Sequence, residues 1–216
     1  MEEAAKDRGI YTVLRNPYGL NPNDALSGPD EPDLQTVKYD KVSQNWVYPF
    51  IMAGINTKVV RRSNALAGFP YGKDFRYDES SMGGRGVGGR MKSTMIAMGL
   101  GAMLLAKPGS FAKKMADRIL PDPGEGPSKS ERESGYYKIL FFTTLHDGGQ
   151  ALATVTGDRD PGYGSTSKML AESAICLAKD DLPNVSGMLT PAVAMGDALL
   201  ERLTANAGLT FDFELR

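Results

Sequence analysis

The sequence predicts an α+β fold in which a mixed or antiparallel sheet carries flanking helices, and three patterns support that expectation. Two β-rich runs, Tyr136 to Leu145 and Ala151 to Thr156, meet around Asp147-Gly148-Gly149, whose glycines supply the positive-φ positions a tight hairpin requires. The run LTFDFEL alternates Leu209, Phe211, Phe213 and Leu215 with Thr210, Asp212 and Glu214, the period of a strand with one buried face. Between them Thr190-Pro191 opens a helix, with the threonine as cap and the proline at the first helical position. Ala192, Met195, Leu199 and Leu203 form its buried stripe, and Gly208 stops it.

The remaining elements follow in chain order. The first 45 residues are dense in turn chemistry, with Asn16-Pro17, Asn21-Pro22, Gly28-Pro29 and Glu31-Pro32. Apart from a short strand at Tyr11 to Leu14 they read as extended or looped. A compact domain rarely opens on so long a structureless stretch, so the chain reads as one entered partway. From Trp46 to Gly68, Ile51, Ile55, Val59 and Leu66 recur at near-helical spacing, which predicts an amphipathic helix. Its opposite face shows Asn56, Arg61, Arg62 and Asn64 to solvent. FRYDE, Phe75 to Glu79, is a short strand candidate. A glycine cluster, an apolar helix from Met91 to Ala106 and a second short helix capped by Ser110 come next, the last with Phe111, Met115 and Ile119 on one side. PDPGEGPS, Pro121 to Ser128, is a loop and an internal boundary. After the hairpin, GDRDPGYGSTS leads into a helix over Lys168 to Ala178.

Composition narrows the function classes. Of 216 residues, 41% are hydrophobic and 24% charged, the balance of an ordinary soluble globular protein. The net charge of -1 provides no global field for nucleic acid or membrane. A single cysteine, Cys176, and a single histidine, His146, exclude an intrachain disulfide and a Cys/His zinc site, and no metal is expected. A reducing, cytosol-facing environment follows. MEEAAKDRG lacks the apolar core of a signal peptide, so secretion is not expected. The longest apolar run, Met95 to Ala106, falls short of the roughly 20 residues a spanning helix needs.

Several segments are candidates for chemistry. GGRGVGG matches the G-x-G-x-x-G pattern through Gly84, Gly86 and Gly89. The preceding YDESSM is polar, and no acid lies roughly 20 residues on to hold a ribose, so the segment reads as a flexible loop. GDRDPGYGSTSKML is different, because a strand runs through a glycine loop into a helix whose first turn offers Ser165, Thr166 and Ser167. Free amides and hydroxyls there form an anion or carbonyl pocket, unless the unit is a structural turn with an ordinary serine cap. Tyr163 and Lys168 are proton donors by type. His146, at a hairpin corner beside Asp147, reads as structural or solvated. Cys176 falls on an apolar helical stripe with Met169 and Leu170, which predicts burial rather than reactivity.

One charge pattern stands apart. Arg85, Arg90, Lys92, Lys107, Lys113, Lys114 and Arg118, with the single acid Asp117, surround a methionine-rich apolar stretch. Basic flanks with an apolar centre suit a helix lying on an anionic membrane; a core helix with solvated ends has the same pattern. The methionines also suit a flexible lining for a long apolar substrate.

Taken together, NPYGLNP, WVYPFIMAGINTKVVRRSNAL, YGKDFRYDE, PGEGPS, GDRDPGYGSTSKMLAESA and LTPAVAMGDALLERL resemble the saccharopine dehydrogenase-like oxidoreductases, in particular their trans-acting enoyl reductase branch. The resemblance runs in order through nearly the whole chain. It implies the carboxyl-terminal domain of a Rossmann-type oxidoreductase, residues 1–216, without its nucleotide-binding domain. Residues 188–216 would be a segment returning to that absent domain, and the family's glycine fingerprint would lie upstream of Met1. NAD(P) would serve the full-length protein without binding tightly to this chain.

Further expectations follow from the same resemblance. Bacterial members are similar to enzymes that reduce enoyl intermediates for polyketide synthases in lipid and glycolipid assembly. Eukaryotic relatives are associated with lipid droplets, mitochondria and membranes. Tyr163, Lys168 and Tyr71 are then candidate proton donors. Ser165 and Thr166 would hold the substrate carbonyl and Arg61 and Arg62 an acidic group such as a carrier phosphate, with Gly164 and Asn56 also contacting substrate. Partners would be the separate Rossmann domain, a second copy of the chain, or a lipid surface met through Met91 to Leu120. The alternatives are a non-catalytic lipid-surface or scaffolding protein and a truncated gene product.

Overall fold

A computed structural model describes residues 8–29, 32–104, 125–145 and 147–216. The chain divides into two compact units, one formed by Met1–Lys114 with Met188–Val193, the other by Met115–Gly187 with Ala194–Arg216. The fold is α+β, with two small antiparallel sheets and flanking helices.

The first unit opens with helix α1, Arg8–Arg15, where the sequence predicts a strand at Tyr11 to Leu14. A strand must find a ladder partner for its backbone groups, whereas a helix satisfies its own. Pro17 helps end α1, because a residue before proline is pushed out of the helical region. The turn-rich stretch that follows is held by its asparagines. The Asn16 side chain donates to the Leu26 carbonyl at 3.0 Å and accepts from the Tyr18 amide at 2.9 Å, and the Asn21 side chain donates to the Ala25 carbonyl.

Strands β1 (Lys38–Asp40), β2 (Asn45–Pro49) and β3 (Ser80–Gly84) form the first sheet in that order, every pair antiparallel. The helix predicted from Trp46 therefore begins only at α2, Ala53–Leu66, because the aromatic and β-branched run Trp46-Val47-Tyr48 enters the sheet first. Phe75 to Glu79 is not a strand; β3 follows it.

The glycine cluster is a strand-to-helix junction rather than a flexible loop. Helix α3, Gly86–Leu104, starts immediately after β3 and packs on β2 and β3. Gly84 and Gly86 have φ of 111° and 63°, and a Cβ on Gly89 would sit 2.2 Å from the Gly84 carbonyl oxygen, so side chains are excluded at the corner. The helix predicted over Ser110, Phe111, Met115 and Ile119 lies outside the described residues, as does His146.

Burial on α2 inverts the amphipathic reading. Its buried residues are Ala53, Thr57, Arg61 and Asn64, while Ile55 is 46% exposed and Ile51, just before the helix, 61%. The polar face turns inward because it finds partners there. Thr57, fully buried, reaches the Asp33 carboxylate at 3.0 Å and the Ala53 carbonyl at 2.8 Å, and the Asn64 side chain donates to the Gly72 carbonyl.

In the second unit, Ser128 and Glu131 close a capping box on the short helix α4, Lys129–Ser134. The predicted hairpin is present as β4 (Tyr137–Thr144) and β5 (Gln150–Gly157). Gly148 takes φ 86° at its corner, and the Gly148 amide donates to the Leu145 carbonyl. Helices α5 (Gly164–Lys179) and α6 (Pro191–Asn206, of which Ala194 onward belongs to this unit) follow, and Gly196 breaks the helical geometry of α6. Met195 and Leu203 are buried and Leu199 partly so, but Ala192 is exposed.

Strand β6, Leu209–Leu215, pairs antiparallel with β5, giving the order β4-β5-β6 and the row Tyr137, Gly157, Leu209 across one face. The buried face expected of β6 is buried only at Leu209, which joins Leu203 and Ala207 in a small core with Met169 and Leu199 against it. Phe211, Phe213 and Leu215 are 41%, 68% and 70% exposed.

Candidate functional site

The segment from the end of β5 to the start of α5 is organised by Asp160, a residue that the sequence reading did not single out. The Asp160 carboxylate accepts from the amides of Gly162 (2.9 Å), Tyr163 (3.2 Å) and Gly164 (2.6 Å), and its carbonyl accepts from the Ser165 amide at 2.8 Å. The Gly164 and Ser165 amides at the start of α5 are therefore engaged inside the chain by Asp160, while the N-cap position, Tyr163, makes no side-chain capping bond and no serine caps the helix. These bonds, the Gly164 amide foremost and Arg132 adding attraction, outweigh desolvation and hold the Asp160 carboxyl below the usual carboxylate range. The Asp-Pro-Gly tripeptide was the available signal, since aspartate before such a turn bonds the backbone just ahead of it.

Neighbours fix the turn from behind. The Asp160 amide donates to the Arg132 carbonyl at 3.2 Å, and the Arg132 guanidinium donates to the Pro127 carbonyl at 2.6 Å. Gly135 packs so closely on Asp160 that a Cβ there would lie 2.7 Å from it. Ser165 is fully buried and shares a 3.0 Å hydrogen bond with the Tyr137 hydroxyl. The Thr166 hydroxyl donates to the Pro161 carbonyl at 2.7 Å, and that of Ser167 to the Gly164 carbonyl at 3.1 Å. Tyr163 is 57% exposed at the helix start, and the Lys168 ammonium stands 3.5 Å from both the Asp158 carboxylate and the Ala207 carbonyl.

A depressed carboxyl pKa fixes the sign of a pH effect. The contribution of Asp160 to stability is present above its unfolded value, near pH 4, and is lost as pH falls through the lower folded value. Asp160→Asn is expected to flatten the loss of stability on acidification below about pH 4. Thermal melts of both proteins across that range check it; parallel curves would contradict the assignment.

The other sequence candidates belong to the first unit, around the inward polar face of α2. The Asn56 side chain donates to Glu79 at 3.0 Å, and the Tyr77 hydroxyl donates to the other Glu79 oxygen at 3.0 Å. Burial, with Glu79 beside it, pushes the Tyr77 phenol above its ordinary value. Arg61, 3% exposed, donates to the carbonyls of Pro17 (3.1 Å) and Tyr77 (2.8 Å) and lies 5.5 Å over the Tyr18 ring. Arg62 donates to the carbonyls of Leu20 and Met188. The solvated arginines expected from the sequence are thus cross-links between backbone segments. Tyr71 is 63% exposed and its ring packs 5.1 Å from Phe75. Glu79, Tyr77 and Asn64 complete this cluster; only the buried character of the polar helix face, invisible in a periodicity count, would have marked them.

Two absences hold among the described residues. No group of three or more His, Cys, Asp or Glu side chains is placed to hold a metal ion, and no helix is long and apolar enough to cross a membrane. A dinucleotide turn rests on a strand of a parallel sheet with a crossover helix. Gly84, Gly86 and Gly89 sit instead behind an edge strand of an antiparallel sheet, so these residues do not fit a nicotinamide dinucleotide.

The chain is similar to proteins named trans-acting enoyl reductases. It is 38% identical to a Mycobacterium tuberculosis protein that bears that name provisionally, over 95% of this chain and 52% of the relative. It is 36% identical to the trans-acting enoyl reductase of Mycobacterium ulcerans and 37% identical to that of Mycobacterium bovis, each over 94% of this chain and 51% of the relative. The chain thus spans about half the length of the curated relatives it matches. No family model and no solved structure matches it.

Proposed function

We propose that this chain contributes the acyl-facing part of an enoyl reduction, working with a nucleotide-binding part of the protein that its own residues do not supply. The observation that carries this reading is the similarity, across 95% of the chain, to a protein whose name gives that activity. Nicotinamide dependence and a lipid or polyketide-type acyl substrate are part of the proposal.

The chemistry asked of these residues is limited. Reduction at the β-carbon of an enoyl thioester leaves negative charge shared between the α-carbon and the carbonyl oxygen, and a proton must then reach the α-carbon. Tyr163 is an exposed phenol on a turn held rigid by Asp160, which suits a donor that must be presented in one place. Lys168, Gly164 and Thr166 line the same helix start and would meet the acyl carbonyl. Ser165 acts from beneath, through Tyr137.

The test joins this chain to the part of the M. tuberculosis relative that it does not cover and follows NADPH oxidation with a crotonyl pantetheine thioester. Turnover is expected, and Tyr163→Phe should lower kcat by about 10²-fold or more with KM little changed. Unchanged kcat removes Tyr163 from the role, and no turnover by the parent fusion counts against the reading. The chain by itself should show no NADPH binding by calorimetry; a micromolar Kd would overturn the division of labour.

A further inference from the structure

Asp160 fixes the main chain at Tyr163, but main-chain bonds leave the ring free to turn. An exposed side chain hops between rotamers on a picosecond to nanosecond scale unless something packs against it. The Tyr163 ring meets such a contact in the segment just before α4. A Cβ placed on Gly126 would lie 3.6 Å from the Tyr163 Cζ and within 3.9 Å of both Cε carbons. The Gly126 backbone therefore faces the hydroxyl-bearing end of the ring across the space of one methyl group.

One residue ties both sides of this contact. Arg132, half-buried in α4, donates from its guanidinium to the Pro127 carbonyl at 2.6 Å, one residue past Gly126. Such a bond from a charged donor is of the stronger kind. The Arg132 carbonyl accepts from the Asp160 amide at 3.2 Å, and a Cβ on Gly164 would come within 2.7 Å of it. Asp160 in turn accepts from the Tyr163 amide. The side chain of Arg132 thus holds the segment that faces the ring, and its main chain holds the residue that fixes the Tyr163 backbone. Two other links are weaker claimants. The Arg159–Glu133 pair also joins the turn to α4, but at 3.7 Å and partly exposed, where ion pairs contribute little. The bonds of the capping box close within Ser128 and Glu131.

We propose that Arg132 is a positioning residue for the Tyr163 phenol, its guanidinium keeping the Gly126-Pro127 segment against the ring so that the hydroxyl is presented in one orientation. The inference rests on the reading of Tyr163 as the proton donor. Arg132 acts only through Tyr163.

Fluorine NMR of the full chain labelled with 3-fluorotyrosine tests the contact without any cofactor, the Tyr163 resonance being assigned by its loss in Tyr163→Phe. In the parent that resonance is expected well away from its position in urea. Arg132→Met removes the donor and keeps the stem, and should carry the resonance at least about halfway to the unfolded position, as a freed ring averages its surroundings. Arg132→Lys restores a cationic donor and should return most of the shift. Gly126→Val leaves Arg132 intact and suits the extended backbone favoured before proline, so it should keep the fold and still displace the resonance. In the fusion described above, Arg132→Met should lower kcat about tenfold or more with KM within about twofold, and Arg132→Lys should recover most of the loss. A merely structural role would lower the melting temperature and leave the native resonance and kcat in place.

An unmoved resonance in folded Arg132→Met overturns the proposal, and if that variant does not fold, an unmoved resonance in Gly126→Val does so. A shift that Arg132→Lys does not reduce overturns it as well, as does an unchanged kcat for Arg132→Met in a fusion that Tyr163→Phe impairs. A parent fusion without turnover counts against the enoyl-reductase reading alone, because the fluorine shifts still decide whether Arg132 orients the ring.

Discussion

Arg61→Ala is expected to cost the first unit about 3 kcal/mol or more, lowering its urea midpoint while leaving the m-value of a still-folded protein near the parent's. The side chain is 3% exposed and donates to the Pro17 and Tyr77 carbonyls. Truncation leaves both acceptors without this donor in a place water reaches poorly, and each such loss costs about 1–3 kcal/mol. The contact with the Tyr18 ring goes with it, at about 1 kcal/mol. Arg61→Lys separates charge from geometry. It keeps the cation but has no planar fork to reach two carbonyls at once, so it should recover part of the loss and not all of it. Circular dichroism in urea reads all three proteins; an unchanged midpoint for Arg61→Ala would mean that the buried face of α2 does not hold the unit together.

Gly157→Val should have an effect of similar size in the second unit. Gly157 is the buried residue at the end of β5, and a Cβ there would lie 2.2 Å from the nearest Tyr137 ring atom and 2.7 Å from its hydroxyl oxygen. The ring must move, and the hydroxyl that moves with it is the partner of the fully buried Ser165. Overpacking costs about 1–3 kcal/mol and an unpartnered Ser165 hydroxyl about as much again. The diagnostic is a double-mutant cycle: Tyr137→Ala should relieve most of the added cost of Gly157→Val, whereas additive losses would place the strain elsewhere. Because Ser165 sits in the first turn of α5, the same substitution should also disturb whatever Tyr163 does.

Legibility differed by element for identifiable reasons. The β4-β5 hairpin and the existence of β6 were readable because turn chemistry and period-2 alternation are local signals, but the buried face expected of β6 was not, since only Leu209 is buried. Helix α2 was only half readable. Its helical period was visible, but which face turns inward depended on Pro17, Asp33, Gly72 and Tyr77, carbonyls and a carboxylate supplied from distant sequence. The segment Tyr11 to Leu14, read as a strand, belongs instead to α1, a helix that satisfies its own backbone groups. In the candidate site, Tyr163, Ser165, Thr166 and Lys168 were named from the glycine-rich strand-to-helix pattern, while Asp160, which arranges them, was passed over. Asp160 lies four residues before the helix begins, so only its contacts with the amides of Gly162, Tyr163 and Gly164 reveal its part.

The order β4-β5-β6 also bears on how the second unit assembles. β4 and β5 adjoin in sequence and close a short loop, a step of microseconds for hairpins in general. β6 pairs with the other side of β5 only after α5 and α6 have intervened, so its ladder carries the entropy of a long closure and forms late. Until then one flank of β5 offers open donors and acceptors, with the apolar seat of Leu209 beside it. A nascent or partly denatured chain in that state is poised to recruit a strand from another molecule, and its yield on refolding should fall steeply with concentration.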